Sequence, residues 1–318
     1  MKRLLGALVA LGLALPTAAL AQTRTSKIVV AFPPGGPVDI VARLIADPMA
    51  KELGHTVIVE NKPGGNTFIA AEMVARGPAD GSLIFLTSMT TVVLNPLLHA
   101  TMPYDPIKDF APVSLVVSSP TIMVVNANSP YNDVAAFVAG SKASAKPLPF
   151  GSAGMGGTTH IALEMLMDAS GAKAIHIPFK GAAPAISDLI NGQVDAFFGD
   201  LPGVIGHIKG GKLKAIAIAA KAQTAVLPGV KTMAEQGLPS VAMENWYGIY
   251  VASKTPPDVV AKINKAVHVA LATESVRQKL IDSGASVIPS TPEALAKAQA
   301  DDLARYSVII KAKNIKVE

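Results

Sequence analysis

Four segments of the chain place glycine, hydroxyl and charged residues where a strand-like run gives way to a helix-like run. They are FPPGGPVD (32–39), GSAGMGGTTH (151–160), PFKGAAP (178–184) and FGDLPG (198–203). The start of a helix carries unpaired N–H groups and a partial positive charge of about half a unit, which together suit an anion. Glycine lets a ligand approach the backbone closely, and proline restricts the loop. Each segment therefore predicts a cradle for a negatively charged group.

Each of these segments also has a purely structural interpretation. A glycine-rich strand-to-helix loop is commonly only a tight turn, and Asp39 and Asp200 both fit the role of helix cap. Lys180 is equally consistent with a side chain facing solvent. His160 and His176 fit packing or hydrogen-bonding roles better than catalysis. The four cradles are convincing only if the fold brings them together.

Sequence patterns typical of enzymes are scarce. GMGGTT (154–159) lacks the third glycine of a dinucleotide fingerprint, and the chain contains no P-loop, HExxH or GxSxG motif. The six histidines are scattered without metal-ligand spacing. Ser152 with His160 as its base is a conceivable nucleophile pair, although no orienting acid is indicated. An exported serine hydrolase built on these two residues is therefore the alternative function. No cofactor and no metal are expected.

Strand-like and helix-like segments alternate along almost the whole chain. Continuous apolar strands between amphipathic helices predict an α/β fold with parallel sheets covered on both faces. Predicted strands are KIVVAF (27–32), TVIVE (56–60), SLIFLTS (82–88), TIMVVN (121–126), PLPFGS (147–152), AIHIPF (174–179), VDAFFG (194–199), LKAIAIA (213–219) and WYGIYVA (246–252). Predicted helices include 38–54, ending at Gly54, then 69–77, 160–170 and 184–192.

The N-terminus predicts export. Residues 1–21 combine Lys2 and Arg3, an apolar core and the small residues Ala19 and Ala21, as in a signal peptide cleaved after Ala21. The chain has no cysteine, so disulfides, thiolate metal sites and a lipoprotein anchor are excluded. These features predict a periplasmic protein.

The charge and length of the mature chain limit its function further. Removal of Lys2 and Arg3 lowers the formal net charge from +5 to +3. This mild, dispersed positive charge argues against nucleic-acid binding and favours small anions. The remaining length suits two domains of roughly 100–150 residues each. The chain crosses between them either twice, near 118–133 and 213–229, or once, and the sequence pattern alone leaves both arrangements open.

Several ordered motifs resemble one family, the periplasmic receptors of tripartite tricarboxylate transporters, also called the Bug family. The resemblance covers nearly the whole mature chain. It rests on FPPGGPVDIVAR, VIVENKPGG, IAAEMVAR, FGSAGMGGTTHIALEM, HIPFKGAAPAISDLINGQVDAFFGD, LPGVKTMAEQGLP and WYGIYVASKTPPDVVAKIN. The resemblance implies a type II periplasmic binding-protein fold with two α/β lobes, a two-strand hinge and a ligand cleft between the lobes. It favours the discontinuous division, with lobe 1 at 22–125 plus 223–318 and lobe 2 at 126–222.

The resemblance also implies that an organic carboxylate is held between the lobes, largely by backbone groups and ordered waters. Phe32, Phe198 or Trp246 are the candidates for an aromatic wall. Asn66, Thr67 and Phe68 depart from the family, whose members tend to carry two glycines and an asparagine there. The ligand-binding residues expected from the matching positions are Phe32, Pro34, Gly35, Gly36, Asp39, Ser88, Thr91, Ser152, Gly154, Gly156, Thr158, Lys180, Gly181, Ala182 and Asp200.

The expected function is capture of this carboxylate and its delivery to the membrane permease subunits of a transporter, without catalysis. A receptor that signals to a sensor kinase would share the cleft and differ only in its partner. A monomer is the plain expectation. The ligand class stays open between dicarboxylates, tricarboxylates, aromatic acids, amino acids and amides. Asp200 beside an ammonium group would favour amino acids.

Overall fold

The computed structural model describes residues 24–313, 315 and 317. The signal peptide predicted at residues 1–21 lies outside the described residues. No helix within the described part of the chain is both long enough and apolar enough to cross a membrane.

The described residues form ten strands and ten α-helices in largely alternating order. The strands are β1 (Thr25–Val30), β2 (Thr56–Asn61), β3 (Leu83–Ser88), β4 (Phe110–Asn126), β5 (Leu148–Ser152), β6 (Ala174–Pro178), β7 (Ala196–Asp200), β8 (Leu213–Ile218), β9 (Glu244–Ala252) and β10 (Ser286–Val287). The helices are α1 (Pro37–Leu53), α2 (Phe68–Ala75), α3 (Asn95–Leu98), α4 (Val134–Ala143), α5 (Thr158–Ser170), α6 (Ala182–Ile190), α7 (Leu201–Lys209), α8 (Pro257–Ala272), α9 (Glu274–Asp282) and α10 (Pro292–Ala312).

One long strand joins two groups of strands. The hydrogen-bonded order is β2-β1-β3-β9-β4-β7-β5-β6, with β8 and β10 also pairing with β4. Residues Phe110–Pro120 of β4 pair with β9, whereas Thr121–Val125 pair with β7. We call β1, β2, β3, β9, β10 and the first part of β4 the first half-sheet. The second part of β4 with β5, β6, β7 and β8 forms the second half-sheet.

The α/β fold class is confirmed, but the expectation of wholly parallel sheets is wrong. The pairs β1–β2, β1–β3, β5–β6 and β5–β7 are parallel, while β3–β9, β4–β9, β4–β7 and β4–β8 are antiparallel. The reason is that β4 runs out of the first half-sheet and β9 runs back through it. Apolar patterning identifies buried strands but does not reveal their direction. The predicted lobe boundaries stay a prediction.

Helices cover the half-sheets because each presents one apolar stripe. In α1, Val41, Ile45 and Met49 recur at helical spacing and are fully buried. They belong to one core cluster with Ile263 and Val267 of α8. Gly54 ends α1 in the left-handed conformation, with φ 72°, as predicted.

Aromatic side chains fill the interiors of both half-sheets. In the first, Phe110 lies 5.6 Å from Phe85 and 6.2 Å from Tyr250 between ring centroids. In the second, Phe150 lies 5.3 Å from the fully buried Phe198, so that ring is part of the core and not a cleft wall. These aromatic side chains belong to one core cluster that extends through both half-sheets, and the loops at the strand ends form the site.

Gly284, which follows α9, packs against the first residue of α7 and so helps to fix the adjacent Asp200. Its φ is +82°, and a Cβ atom there would overlap the fully buried side chain of Leu201. We expect Gly284→Ala to lower the free energy of unfolding by about 1–2 kcal/mol for the left-handed backbone. Overpacking against Leu201 should add about 1–3 kcal/mol. Urea denaturation measures the total.

Gly237→Ala is the matched control for this substitution. Gly237 has φ +84°, and no atom of the described residues lies within 4 Å of its Cβ position. This variant should show only the backbone cost. Equal losses of stability in the two variants would contradict the close packing of Gly284 on Leu201.

Candidate functional site

Two adjoining cavities lie where the loops of the two half-sheets meet. They hold about 510 and 550 Å³ of space, each including its open mouth. Phe32, Asn66 and Ala153 line both cavities, so the two share a wall. We call them the first and the second cavity.

The first cavity collects the starts of four helices. Its lining includes Gly36 and Val38 at the start of α1 and Thr158 at the start of α5. It also includes Ala182, the first residue of α6, and Asp200, which directly precedes α7. All four helices follow the carboxyl ends of strands, which is where ligands bind in open α/β sheets.

None of these four helices is capped by the side chain of its own N-cap residue, although the N–H of Leu201, the first residue of α7, donates to Ser119 Oγ at 3.1 Å. The N-cap positions of α1, α5 and α6 are Gly36, Gly157 and Gly181, and Asp200 precedes α7 without making a cap hydrogen bond. By contrast, Asp133 caps α4 and Thr291 caps α10 through their side chains. The first turn of an α-helix has no intrahelical acceptors for its N–H groups. The cavity therefore faces the positive ends of helix dipoles and, at α1, α5 and α6, backbone N–H groups without a side-chain cap.

Asp39 holds the first loop in place from behind. It is 2% exposed and accepts hydrogen bonds from Gly35 N, Arg43 Nε and Asn61 Nδ2, each at 2.9 Å. Burial acts to raise the pKa of Asp39, but the hydrogen bonds from Arg43, Gly35 and Asn61 outweigh burial and lower it. Asp39 is thus an ionised anchor for the loop, and neither cavity is lined by it.

The second loop uses its own side chains to bind its own backbone. Thr159 Oγ1 accepts from Ala153 N at 2.8 Å, and His160 Nδ1 accepts from Gly156 N at 3.0 Å. These bonds stabilise the glycine-rich turn and leave the first turn of α5, including Thr158, facing the first cavity.

The nucleophile pair considered for a hydrolase is not formed. Ser152 is fully buried, and its Oγ lies 2.6 Å from Nε2 of His176, not beside His160. His160 instead stacks on His176, with 3.8 Å between ring centroids, and its Nε2 lies 3.3 Å from Glu164. Burial, assisted by the neighbouring His160, lowers the pKa of His176 to about 4. Ser152 and His176 therefore form a neutral, buried hydrogen bond outside both cavities.

Asp200 is the acid that lines the first cavity, and it is 6% exposed. Its Oδ2 accepts from Asn245 Nδ2 and from Tyr247 Oη, both at 2.7 Å, and its Oδ1 accepts from Thr121 Oγ1 at 3.4 Å. Burial raises its pKa against the lowering effect of the hydrogen bonds from Tyr247, Asn245 and Thr121. Because Asn245 and Tyr247 belong to β9, these bonds tie the end of β7 to the first half-sheet.

The loop at Asn66 and Thr67 reaches the site. Asn66 lines both cavities and has φ 48°, and Thr67 has φ 78°. Both are uncommon for residues other than glycine. Asn95 holds the turn by accepting from Asn66 Nδ2 at 2.7 Å and donating to the Asn66 carbonyl at 2.9 Å. Phe68 points elsewhere and packs edge-on against Tyr104.

The two sides of the site touch across the cavities. A Cβ atom on Gly181 of the second half-sheet would overlap the ring of Pro33, which follows β1. A Cβ on Gly203 would lie 3.1 Å from Pro37 Cδ. Gly181 has φ 117°, so both its backbone angle and its contact with Pro33 require glycine at this position. The loops thus enclose the cavities between them.

Nine of the fifteen residues predicted to bind ligand line one of the two cavities. They are Phe32, Gly36, Ser88, Gly154, Thr158, Lys180, Gly181, Ala182 and Asp200. The others lie behind the loops or within them, outside the lining of both cavities: Pro34, Gly35, Asp39, Thr91, Ser152 and Gly156. Trp246 is in the core and donates to Asp302 Oδ2 at 2.8 Å, so Phe32 is the one candidate aromatic wall that lines the site.

Asn245 lines the first cavity although no pattern in the sequence marks it as a site residue. It lies at the start of β9, and its neighbour Tyr247 pairs with Ser88 at the end of β3. An antiparallel strand brings its beginning to the edge where its partner ends. No signal in the sequence marked β9 as antiparallel. No group of residues in the described part of the chain is suited to hold a metal ion.

The chain is similar to known receptor proteins over most of its length. The family model for the tripartite tricarboxylate transporter family receptor matches residues 41–315. The periplasmic binding protein BugD is 32% identical, with a TM-score of 0.88 over 92% of this chain and 98% of that one.

Two further solved structures contain a ligand. MatC from Rhodopseudomonas palustris with bound malate is 32% identical, with a TM-score of 0.86 over 91% of this chain and 99% of that one. Rpa4515 from R. palustris with adipate is 28% identical, with a TM-score of 0.89 over 93% and 99%. These matches, together with the cavity between the two half-sheets, establish that the chain belongs to the Bug family of tripartite tricarboxylate transporter receptors.

Proposed function

We propose that this protein captures an organic carboxylate in the two adjoining cavities and delivers it to the permease subunits of a tripartite tricarboxylate transporter. The observation that carries the proposal is the convergence of four helix starts without side-chain caps on the first cavity. Their N–H groups require an acceptor, and a carboxylate supplies two oxygens with about four lone-pair sites.

Charge supports the same ligand class. Lys180 lines the second cavity and adds a positive side chain to the helix dipoles. Hydrogen bonds to a charged group are worth about 1.5–3 kcal/mol each. Three or four such bonds, less the cost of ordering the ligand, reach the roughly 8 kcal/mol of micromolar binding.

The ligands of related receptors support the proposal. MatC holds malate and Rpa4515 holds adipate, and both are dicarboxylates on similar chains. The wall formed by Asn66, in a loop that departs from the family pattern, argues that the identity of the acid is particular to this chain. BugD is a periplasmic protein, which supports the same location here.

Ligand binding should favour contact between the two sides of the site. One ligand held at the same time by α1 of the first half-sheet and by α5 of the second stabilises the arrangement in which both are close. A permease that recognises this arrangement would distinguish loaded receptor from empty receptor.

A thermal-shift screen against di- and tricarboxylates, aromatic acids and amino acids tests the proposed ligand class. A ligand at a hundredfold its Kd stabilises the folded state by about 2.7 kcal/mol. For a protein of this size that corresponds to a rise in Tm of roughly 5–10 °C. The matched neutral amides serve as controls and should give no shift. A folded sample that no acid stabilises would overturn the proposal.

Thr158→Pro tests whether a backbone N–H of α5 binds the acid. Proline is tolerated at the first position of a helix, and Gly157 before it has φ −74° and ψ 171°, which suits a residue preceding proline. We expect binding to weaken about tenfold or more, because one hydrogen bond to a charged group is lost. Isothermal titration with the acid that gives the largest thermal shift measures the effect.

Thr158→Ala is the control, since it removes the same hydroxyl but keeps the N–H. The difference between the two variants isolates the contribution of the backbone donor. Equal affinities would show that α5 does not hold the ligand through this group.

A further inference from the structure

Part of the lining of the first cavity is an acceptor site, next to the donor-rich helix starts. Asp200 and Asn245 line it side by side, with exposed fractions of 6% and 3%. Both are far more buried than acids and amides usually are. A ligand in this cavity therefore faces hydrogen-bond donors at the helix starts and hydrogen-bond acceptors at Asp200 and Asn245.

Asn245 leaves one buried atom without a partner. Its Nδ2 donates to Asp200 Oδ2 at 2.7 Å, and a carboxylate can only accept, so the amide nitrogen must face Asp200. The amide oxygen Oδ1 is then turned away, and it has no hydrogen-bond partner among the described residues. Buried polar atoms nearly always have a partner, so this oxygen calls for a donor.

The carboxylate of Asp200 can also accept further hydrogen bonds at Oδ1. Tyr247 Oη and Asn245 Nδ2 both donate to Oδ2, whereas Oδ1 has only the long 3.4 Å contact with Thr121 Oγ1. No ion pair among the described residues includes Asp200. A buried carboxylate is costly unless a positive charge is paired with it.

We propose that Asp200 and Asn245 form a subsite for an ammonium group, so that the preferred ligand is an amino-substituted carboxylate. An ammonium group offers three donors and no acceptor, and its charge balances that of Asp200. A hydroxyl group offers a single donor and no charge, and therefore satisfies neither requirement completely. This inference rests on the proposed carboxylate function and names the class of acid.

Calorimetric titration with pairs of acids that differ only by the ammonium group tests the inference. Aspartate is compared with succinate, glutamate with glutarate, 2-aminoadipate with adipate, and γ-aminobutyrate with butyrate. In at least one pair, the amino acid should bind tenfold or more tightly than its partner. If the amine-free acids bind as tightly or more tightly in every pair, the ammonium subsite is overturned and carboxylate binding stands. If no acid of either kind binds, the proposed function itself fails.

Asp200→Asn removes the charge and keeps the shape, and its readout is the preference within each pair. We expect the preference to fall below threefold, and circular dichroism with thermal unfolding reports that the variant is folded. Asp195→Asn is the matched control, since Asp195 lies just before β7, is partly buried, and is outside the lining of both cavities. Retention of the full preference in Asp200→Asn, or its equal loss in Asp195→Asn, would overturn the role of Asp200.

Discussion

The site depends on backbone N–H groups that the helices themselves leave without acceptors. A helix start in solvent can bind water, whereas the four helix starts around this cavity find few acceptors within the protein. The first loop has a suitable carboxylate close by, yet Asp39 is occupied by Gly35, Arg43 and Asn61. A ligand that enters the cavity must therefore supply the hydrogen-bond acceptors for these N–H groups. Ligand binding and the fold therefore depend on the same glycines. These glycines leave the helices without side-chain caps, and they also let the loops approach each other.

The strand topology creates that convergence. Every parallel strand ends at the edge where the cavities lie, and β4 runs continuously from one half-sheet into the other. The return strand β9 lies beside it and places Asn245 and Tyr247 against Asp200 of β7. A movement of the half-sheets relative to each other would strain these buried bonds. Asp200 therefore connects β7 to β9 and at the same time lines the first cavity.

Much of this arrangement could be predicted from the sequence. Hydrophobic periodicity identified the strands around Val29, Phe85 and Phe198, and glycine and proline identified the loops that form the site. Side-chain pairing could not be predicted, because it depends on distances between residues far apart in the chain. Ser152 is bonded to His176, 24 positions away, and not to the nearer His160. Asn245 was missed for a related reason, since strand direction carries no local signal in the sequence.

The loop at Asn66 forms a wall that the two cavities share. Asn66 and Thr67 keep left-handed backbone angles without the freedom of glycine, which costs conformational energy. That cost is offset by the bonds between Asn66 and Asn95 and by the Thr67 hydroxyl, which accepts from Thr91 at 3.0 Å. A strained turn that is anchored so fully keeps its side chain fixed, and Asn66 therefore presents a rigid polar wall to both cavities. In the proposed function, where the helix starts supply a general anion site, such walls would contribute to selectivity between acids.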